Sequence, residues 1–458
     1  MIDFGHANQS VGDESRRAHS QHHVVTSSFD ELLPPVSAAS SRDIADRDLE
    51  AQHRGDGPCR SVLAATHWSP GDDLDHVACH RAARYRRNGW DGLDNIAPVP
   101  TTIQTVEATG LRFPLSKPIA SALGAYTHVD ATAVMLDSND GLTGFGISAG
   151  LGGAASAAMV PYIEAELAPL AIGQDALRPE ALWHRLWSPN KPRMRAGLGV
   201  WALSAIDIAC WDLLGKAAGL PLHRLLGGFR NDVPVYGSGG WHSLKDDELI
   251  AECRSFASKG ITAYKYKIGT PRDEERTALL RREMGDGFTL FADANQRFTV
   301  SEALEIARML ADYDVAWLEE PVLADSTDDL AEVAASSPIP IAAGENVYFR
   351  WGFREICDRR AASYLQPDVG RCGGVTEFMK VAHLADAYNL SLSSHLWHEL
   401  SISLVGAVSS GFMVEYAELL PPDTLTRPFE VVDGHIRVPD VPGHGVEVTP
   451  ESMKRFAV

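Results

Sequence analysis

The chain has 458 residues, of which 45% are apolar and 22% charged, an ordinary balance for a globular protein. Its formal net charge of −20 argues against nucleic acid or an anionic membrane surface as a general partner. A small anionic substrate stays open, because a local cation reverses the field inside a pocket.

Residues 1–101 are rich in His, Ser, Asp and Arg and lack apolar periodicity. That composition predicts a disordered or weakly ordered extension. Within it His76, Cys79 and His80 form a cluster, "HVACH", but no second pair stands at zinc-finger spacing, so chance in a His-rich tail explains it. The N-terminus shows no apolar signal core. No uninterrupted apolar run is long enough for a bilayer. The six cysteines are scattered without a CxxC pair, as in a reducing compartment. A cytoplasmic protein is the expectation.

Ordered patterning begins near Thr102. "TIQTVEATGLRFPL" and "DATAVMLDSNDGLTGFG" read as strands, the second holding an Asp-Gly turn. "AASAAMVPYIEAELAPLAIG" and "AGLGVWALSAIDIACWDLLGKAAG" read as helices. Residues 102–230 are thus expected to form a small α+β domain.

Over residues 231–416 the pattern changes. Eight short apolar runs ("VPVYG", "AYKYKIG", "FTLFADAN", "VAWLEEP", "IPIAAGEN", "SYLQPDV", "LSLSSH" and "FMVEY") alternate with amphipathic helices. Eight parallel β/α units close naturally into an α/β barrel. Residues 417–458 hold a second Asp-Gly hairpin, "PFEVVDGHIRVPD", expected to fold back on the first domain.

Charge falls at the ends of these runs. Lys267, Asp293, Glu319, Glu345, Asp368, His395 and Glu415 each end an apolar run, 20 to 27 residues apart, about one β/α unit. A barrel would bring all seven to its C-terminal mouth, where barrel enzymes keep their sites. A single charge at a strand end is commonly structural. Seven in succession are not explained that way.

Asp293, Glu319 and Glu345 come from three consecutive strands and offer only oxygen ligands. That donor set suits a hard cation such as Mg²⁺ and argues against zinc. Lys265 and Lys267 lie two apart on one strand and point to the same face. Repulsion from a like charge and from the metal is expected to lower a lysine pKa toward use as a base near neutrality. "SHLWHE" has two histidines and a carboxylate, but its place one unit after Asp368 suggests an Asp-oriented base at His395 rather than a zinc site. His398 falls beyond the strand, either structural or next to substrate. Glu415 is either an acid that supports an oxyanion or a partner for a lysine.

The ordered motifs "KYKIG", "DANQ", "WLEEP", "GEN", "QPD…GGVT" and "SSHLWHE" resemble the enolase superfamily, and within it the mandelate racemase subgroup, over about residues 102–458. The resemblance implies a modified (β/α)₇β TIM-type barrel with an α+β capping domain. It implies Asp293, Glu319 and Glu345 as Mg²⁺ ligands, leaving Glu320 unassigned. Lys267 would be one base and His395 with Asp368 the opposite one. Lys265 would bind the substrate carboxylate, Asn295 would contact substrate, and Glu415 would lie near the enolate oxygen. A homo-oligomer is expected on the same ground. The pairing of a Lys or His base with Mg²⁺, which stabilises an ene-diolate, is likewise what the resemblance implies.

The chemistry so described is removal of the proton α to a carboxylate. Family frequency favours dehydration of an acid sugar, an aldonate or aldarate, to a 2-keto-3-deoxy acid. The alternative is racemisation or epimerisation of a 2-hydroxy acid with the same bases. A non-catalytic binder would show a broken ligand or base, and none is broken. A metal hydrolase would show several ligating histidines. "SKPIASALGAYTH" is expected to be a loop that closes over the mouth. "SPNKPRMRAG" is either a second lid, with Lys191, Arg193 and Arg195 facing a distal carboxylate, or a solvated surface turn.

Overall fold

A computed structural model describes residues 101–458. The N-terminal extension to residue 100, with His76, Cys79 and His80, lies outside the described residues.

The cap opens with an antiparallel meander of β1 (Ile103–Ser121), β2 (Gly124–Ser138) and β3 (Thr143–Leu151). The register pairs Ser121 with Gly124. "SKPIASALGAYTH" is therefore a β-hairpin tip rather than the expected loop, with Gly124 taking the φ of +139° that the tight turn needs. The longest helices that follow are α1 (Ala155–Tyr162), α2 (Pro179–Asn190) and α3 (Leu198–Ala218). Sequence periodicity assigned no element to α2, which opens on Pro179 with Glu180 in its first turn.

α3 is apolar over 21 residues, long enough by length and composition to cross a membrane, but Asp207 and Asp212 interrupt it and most of it is buried in the cap. It lies so close to β3 that a Cβ on Gly144 or Gly146 would sit 2.1 Å from a helix carbonyl. Asp207 accepts from Thr376 N at 2.8 Å and Thr376 Oγ1 at 2.6 Å, tying cap to barrel.

The barrel strands are β4 (Asp232–Ser238), β5 (Ala263–Lys267), β6 (Thr289–Asp293), β7 (Val315–Glu319), β8 (Ile341–Ala343), β9 (Tyr364–Leu365), β10 (Ser391–Leu392) and β11 (Val414–Tyr416). All eight apolar runs are strands, and they pair in parallel in chain order. β11 pairs with β4, and a parallel bridge from Leu392 to Gly411 joins β10 to the segment leading into β11, closing the ring. Helices α4 (Asp246–Ser258), α5 (Asp273–Met284), α6 (Val300–Asp312), α7 (Thr327–Ser336), α8 (Phe349–Arg359), α9 (Gly374–Ala387) and α10 (His398–Val405) connect the strands.

Period-2 alternation sets two layers inside the barrel. Tyr236, Phe291 and Trp317 form an apolar plug, with Phe291 and Trp317 stacked at 3.5 Å between ring centroids. Two residues further along β5, β6 and β7 stand Lys265, Asp293 and Glu319. The plug thus pushes the charged layer up to the mouth.

The second hairpin, β12 (Val431–Val432) and β13 (His435–Arg437), departs from expectation. β13 pairs antiparallel with the start of β4, so the hairpin extends the barrel sheet instead of covering the cap. The return to the cap comes later. His444 Nε2 lies 2.6 Å from Phe145 O, and after α11 (Pro450–Phe456) Ala457 bridges to Leu111 on β1. Among the described residues the four cysteines are free and buried.

Candidate active site

The strand ends deliver all seven charges into one buried cluster, Glu415 among them from β11. One ligand oxygen from each of Asp293, Glu319 and Glu345 lies within 4.8 Å of the others, and all three residues are buried. Such crowding is unfavourable unless a cation answers it. Burial, opposed by Lys265 and aided by Asp293, Glu415 and Glu345, raises the Glu319 pKa to about 8. A hard divalent cation would relieve that repulsion, so the donor set fits one. Glu320 is not part of the trio; its φ of +37° turns it away, and Asn346 Nδ2 donates to it at 2.8 Å.

Lys265 is fully buried within this layer. Its ammonium lies 2.5 Å from Glu319, 2.9 Å from Glu415 and 3.6 Å from Asp293. Enclosed by carboxylates, it does not line the mouth, contrary to its expected contact with a substrate carboxylate. Lys267 is one layer higher, pairs with Asp293 and faces the Trp241 ring at 5.1 Å. Burial opposes the charge on both lysines, but the carboxylates outweigh it and both pKa values rise.

His395 stands across the mouth. Its Nδ1 is 2.7 Å from Asp368 Oδ2, and its Nε2 is 3.0 Å from Glu345 Oε2. Burial and Arg371 lower its pKa, yet Glu345 and Asp368 prevail and raise it to about 10. Asn295 donates to Asp293 at 3.3 Å through Nδ2, leaving its buried Oδ1 without a partner.

Of the two readings of Glu415, the geometry matches the lysine partner. It accepts from Ser238 Oγ at 2.6 Å and Leu396 N at 2.8 Å besides pairing with Lys265. Burial raises its pKa, but Lys265, His395 and Lys267 bring it down to about 2. His398 is displaced from the site. Leu396 and Trp397 adopt φ of +42° and +43°, which swings the chain into α10. The His398 ring then packs on Tyr416 at 4.7 Å, away from the residues that line the mouth.

A cleft of ≈ 470 Å³ opens above Lys267, Asn295, Glu345 and His395 and is roofed by Leu123, Tyr126 and Trp201 of the cap. A larger groove of ≈ 760 Å³, at the opposite end of the barrel around Asp232 and Arg437, holds none of these groups. Sequence reasoning missed Arg371, whose Nε lies 3.3 Å from Asp368 Oδ2 and whose guanidinium rests 5.0 Å from the Trp201 ring centroid. It also missed Gln366, which donates to Glu319 at 2.8 Å. Gln366 lies two residues before Asp368, and strand periodicity contained that signal. A lone arginine after a strand carries none.

Family models match both parts of the chain. The mandelate racemase/muconate lactonizing enzyme N-terminal domain covers residues 103–227, and the enolase C-terminal domain-like model covers residues 248–452. The chain belongs to the mandelate racemase branch of the enolase superfamily. Among its relatives in that family, a 3,6-anhydro-alpha-L-galactonate cycloisomerase from Streptomyces coelicolor is 35% identical over 78% of this chain and 99% of its own length. An arabinonate dehydratase from Saccharolobus solfataricus is 32% identical over 70% of this chain and 88% of its own. The crystal structure of a racemase from Streptomyces coelicolor with bound magnesium superposes with a TM-score of 0.74 at 34% identity, over 78% of this chain and all of that one. The superfamily fold, a TIM-type barrel under an N-terminal cap, is the one described above.

Proposed function

We propose that this protein is a Mg²⁺-dependent enzyme that removes the proton α to a carboxylate and dehydrates an acid sugar to a 2-keto-3-deoxy acid. The observation that carries the reading is the placement of Lys267 and the Asp368-bound His395 on opposite sides of one carboxylate trio. Asp293, Glu319 and Glu345 would hold the ion, as their buried all-oxygen donor set suits. When bound, that ion supplies charge that stabilises the enediolate and offsets the carboxylates that otherwise hold the lysines protonated.

The chain's own residues account for the protons. Lys267 Nζ takes the α-proton as the C–H bond breaks, and its electron pair enters the enediolate. His395 Nε2 gives its proton to the β-hydroxyl, which leaves as water as the C–O bond breaks. Asp368 holds the ring in orientation throughout. Lys265 and Gln366 fix Glu319 in place. The Tyr126 and Trp201 rings narrow the entrance and exclude water. Names among the relatives, an arabinonate dehydratase and an anhydro-galactonate cycloisomerase, support an acid sugar as substrate.

Two opposed proton-transfer groups also suit racemisation, and a structural neighbour is described as a racemase. Incubating the Mg²⁺-loaded protein with a library of acid sugars separates the two readings. Formation of 2-keto acid supports dehydration. Exchange of the α-proton with D₂O, without loss of water, overturns dehydration in favour of racemisation.

A further inference from the structure

Resting on the enolate reading of the site, we infer that the cleft selects monocarboxylates with an uncharged distal chain and discriminates against dicarboxylates. The cleft has two unlike ends. Its floor carries the charged groups already described. Its roof and outer wall are Leu123, Tyr126, Leu151, Leu198 and Trp201, with glycines and alanines between them.

The wall is built around its rings. A Cβ on Gly152 would lie 2.9 Å from the Tyr126 ring, and one on Gly150 would lie 3.1 Å from the Trp201 ring. The glycines therefore leave room for the two rings, which a side chain at either position would displace. The Trp201 indole nitrogen is buried without a hydrogen-bond partner, so it brings no polar contact to this wall. Flat apolar surface of this kind suits C–H groups and uncharged hydroxyls rather than an anion.

Three cationic groups line the cleft, Lys267, Arg371 and His395, and each already faces a carboxylate, His395 between Glu345 and Asp368. Lys267 pairs with Asp293. Arg371 leans on Asp368 with only 11% of its side chain exposed. The cations that the sequence offered for a distal carboxylate lie elsewhere. Lys191 rests on the Trp187 ring at 5.1 Å, and Arg193 pairs with Glu166 at 3.3 Å. Lys191, Arg193 and Arg195 do not line the cleft. A second carboxylate at the distal end would be desolvated against apolar rings with no cation to answer it, which is discrimination by exclusion.

The test uses the Mg²⁺-loaded full chain with aldonates and aldarates matched in carbon number and configuration. Turnover, α-proton exchange in D₂O and calorimetric affinity are measured for each pair. The expected result is a preference for the monocarboxylate of roughly 100-fold or more in kcat/KM, and a tighter Kd in the same direction. Equal or better use of the dicarboxylate would overturn the inference. If no acid of either class exchanges its α-proton, the enolate reading fails, and the relative Kd values still decide between the two classes. Leu123→Arg, at the exposed hairpin tip, is expected to shift the ratio toward the dicarboxylate by about 10-fold. A ratio unmoved by that cation would count against the assignment of the distal end.

Discussion

Asp368 Oδ2 lies 2.7 Å from His395 Nδ1, although 27 residues of chain separate them. The same oxygen lies 3.3 Å from Arg371 Nε, so one buried atom orients both the proposed acid and the cation beside it. Replacing Asp368 by Asn keeps the volume but offers the ring a weaker acceptor. Asp368→Asn is expected to lower kcat by about 10² to 10⁴ with little effect on KM. An unchanged kcat would remove Asp368 from the mechanism.

Lys267 stands opposite. Lys267→Ala and His395→Asn are each expected to lower turnover by at least about 10³, while circular dichroism and melting stay native-like. Full activity in either variant would sink the two-sided mechanism.

The carboxylate trio sets a metal prediction that does not depend on substrate. Mg²⁺ at about 100 times its Kd is expected to stabilise the fold by roughly 2.7 kcal/mol, read as a rise in Tm that EDTA reverses. Asp293→Asn should abolish that rise. Activity that survives exhaustive EDTA treatment would count against the metal assignment.

Asp207 ties α3 to Thr376 of the barrel, and burial raises its pKa from 3.8 to about 7. Below pH 3.8 the carboxyl is protonated in both folded and unfolded chains. As pH rises from there, the unfolded chain loses the proton first, and the folded chain gives it up near pH 7. Stability is therefore lost across that interval, at up to about 1.4 kcal/mol per pH unit from this group. Urea melts of wild type and Asp207→Asn from about pH 5 to about pH 8 should show the variant gaining relative stability up to about pH 7 and then a constant difference. A difference independent of pH would show that Asp207 is ionised throughout.

Gly146 on β3 lies under Ala205, with 2.1 Å between an added Cβ and the helix carbonyl. Because that neighbour is backbone, the helix has to move. Gly146→Ala is expected to cost about 1–3 kcal/mol, and Gly144→Ala a similar amount. Thermal melts that match wild type would show that α3 sits further from the sheet.

Much of this protein could be read from its residues. Eight apolar runs, seven of them with a charge at the outer end, are a local pattern, and strand geometry converts it into one mouth without further information. The helix α2 was less legible, because its tryptophans and prolines interrupt the usual periodicity. The second hairpin was legible as a hairpin, but its partner strand β4 lies about 200 residues away, and nothing local names it.

The order of the residues alone determined that the seven strand-end charges face one barrel mouth, since alternation and unit spacing leave a charged strand end no other direction to face. The tertiary structure decided what each meeting means. Lys265 became an internal counterion because the barrel wall encloses it among three carboxylates. His398 left the site because two left-handed residues before it redirect the chain. Arg371 entered because the cap lays Trp201 beside it. Each of these depends on contacts between segments distant in sequence, and their energies belong to the assembled site rather than to any stretch of chain.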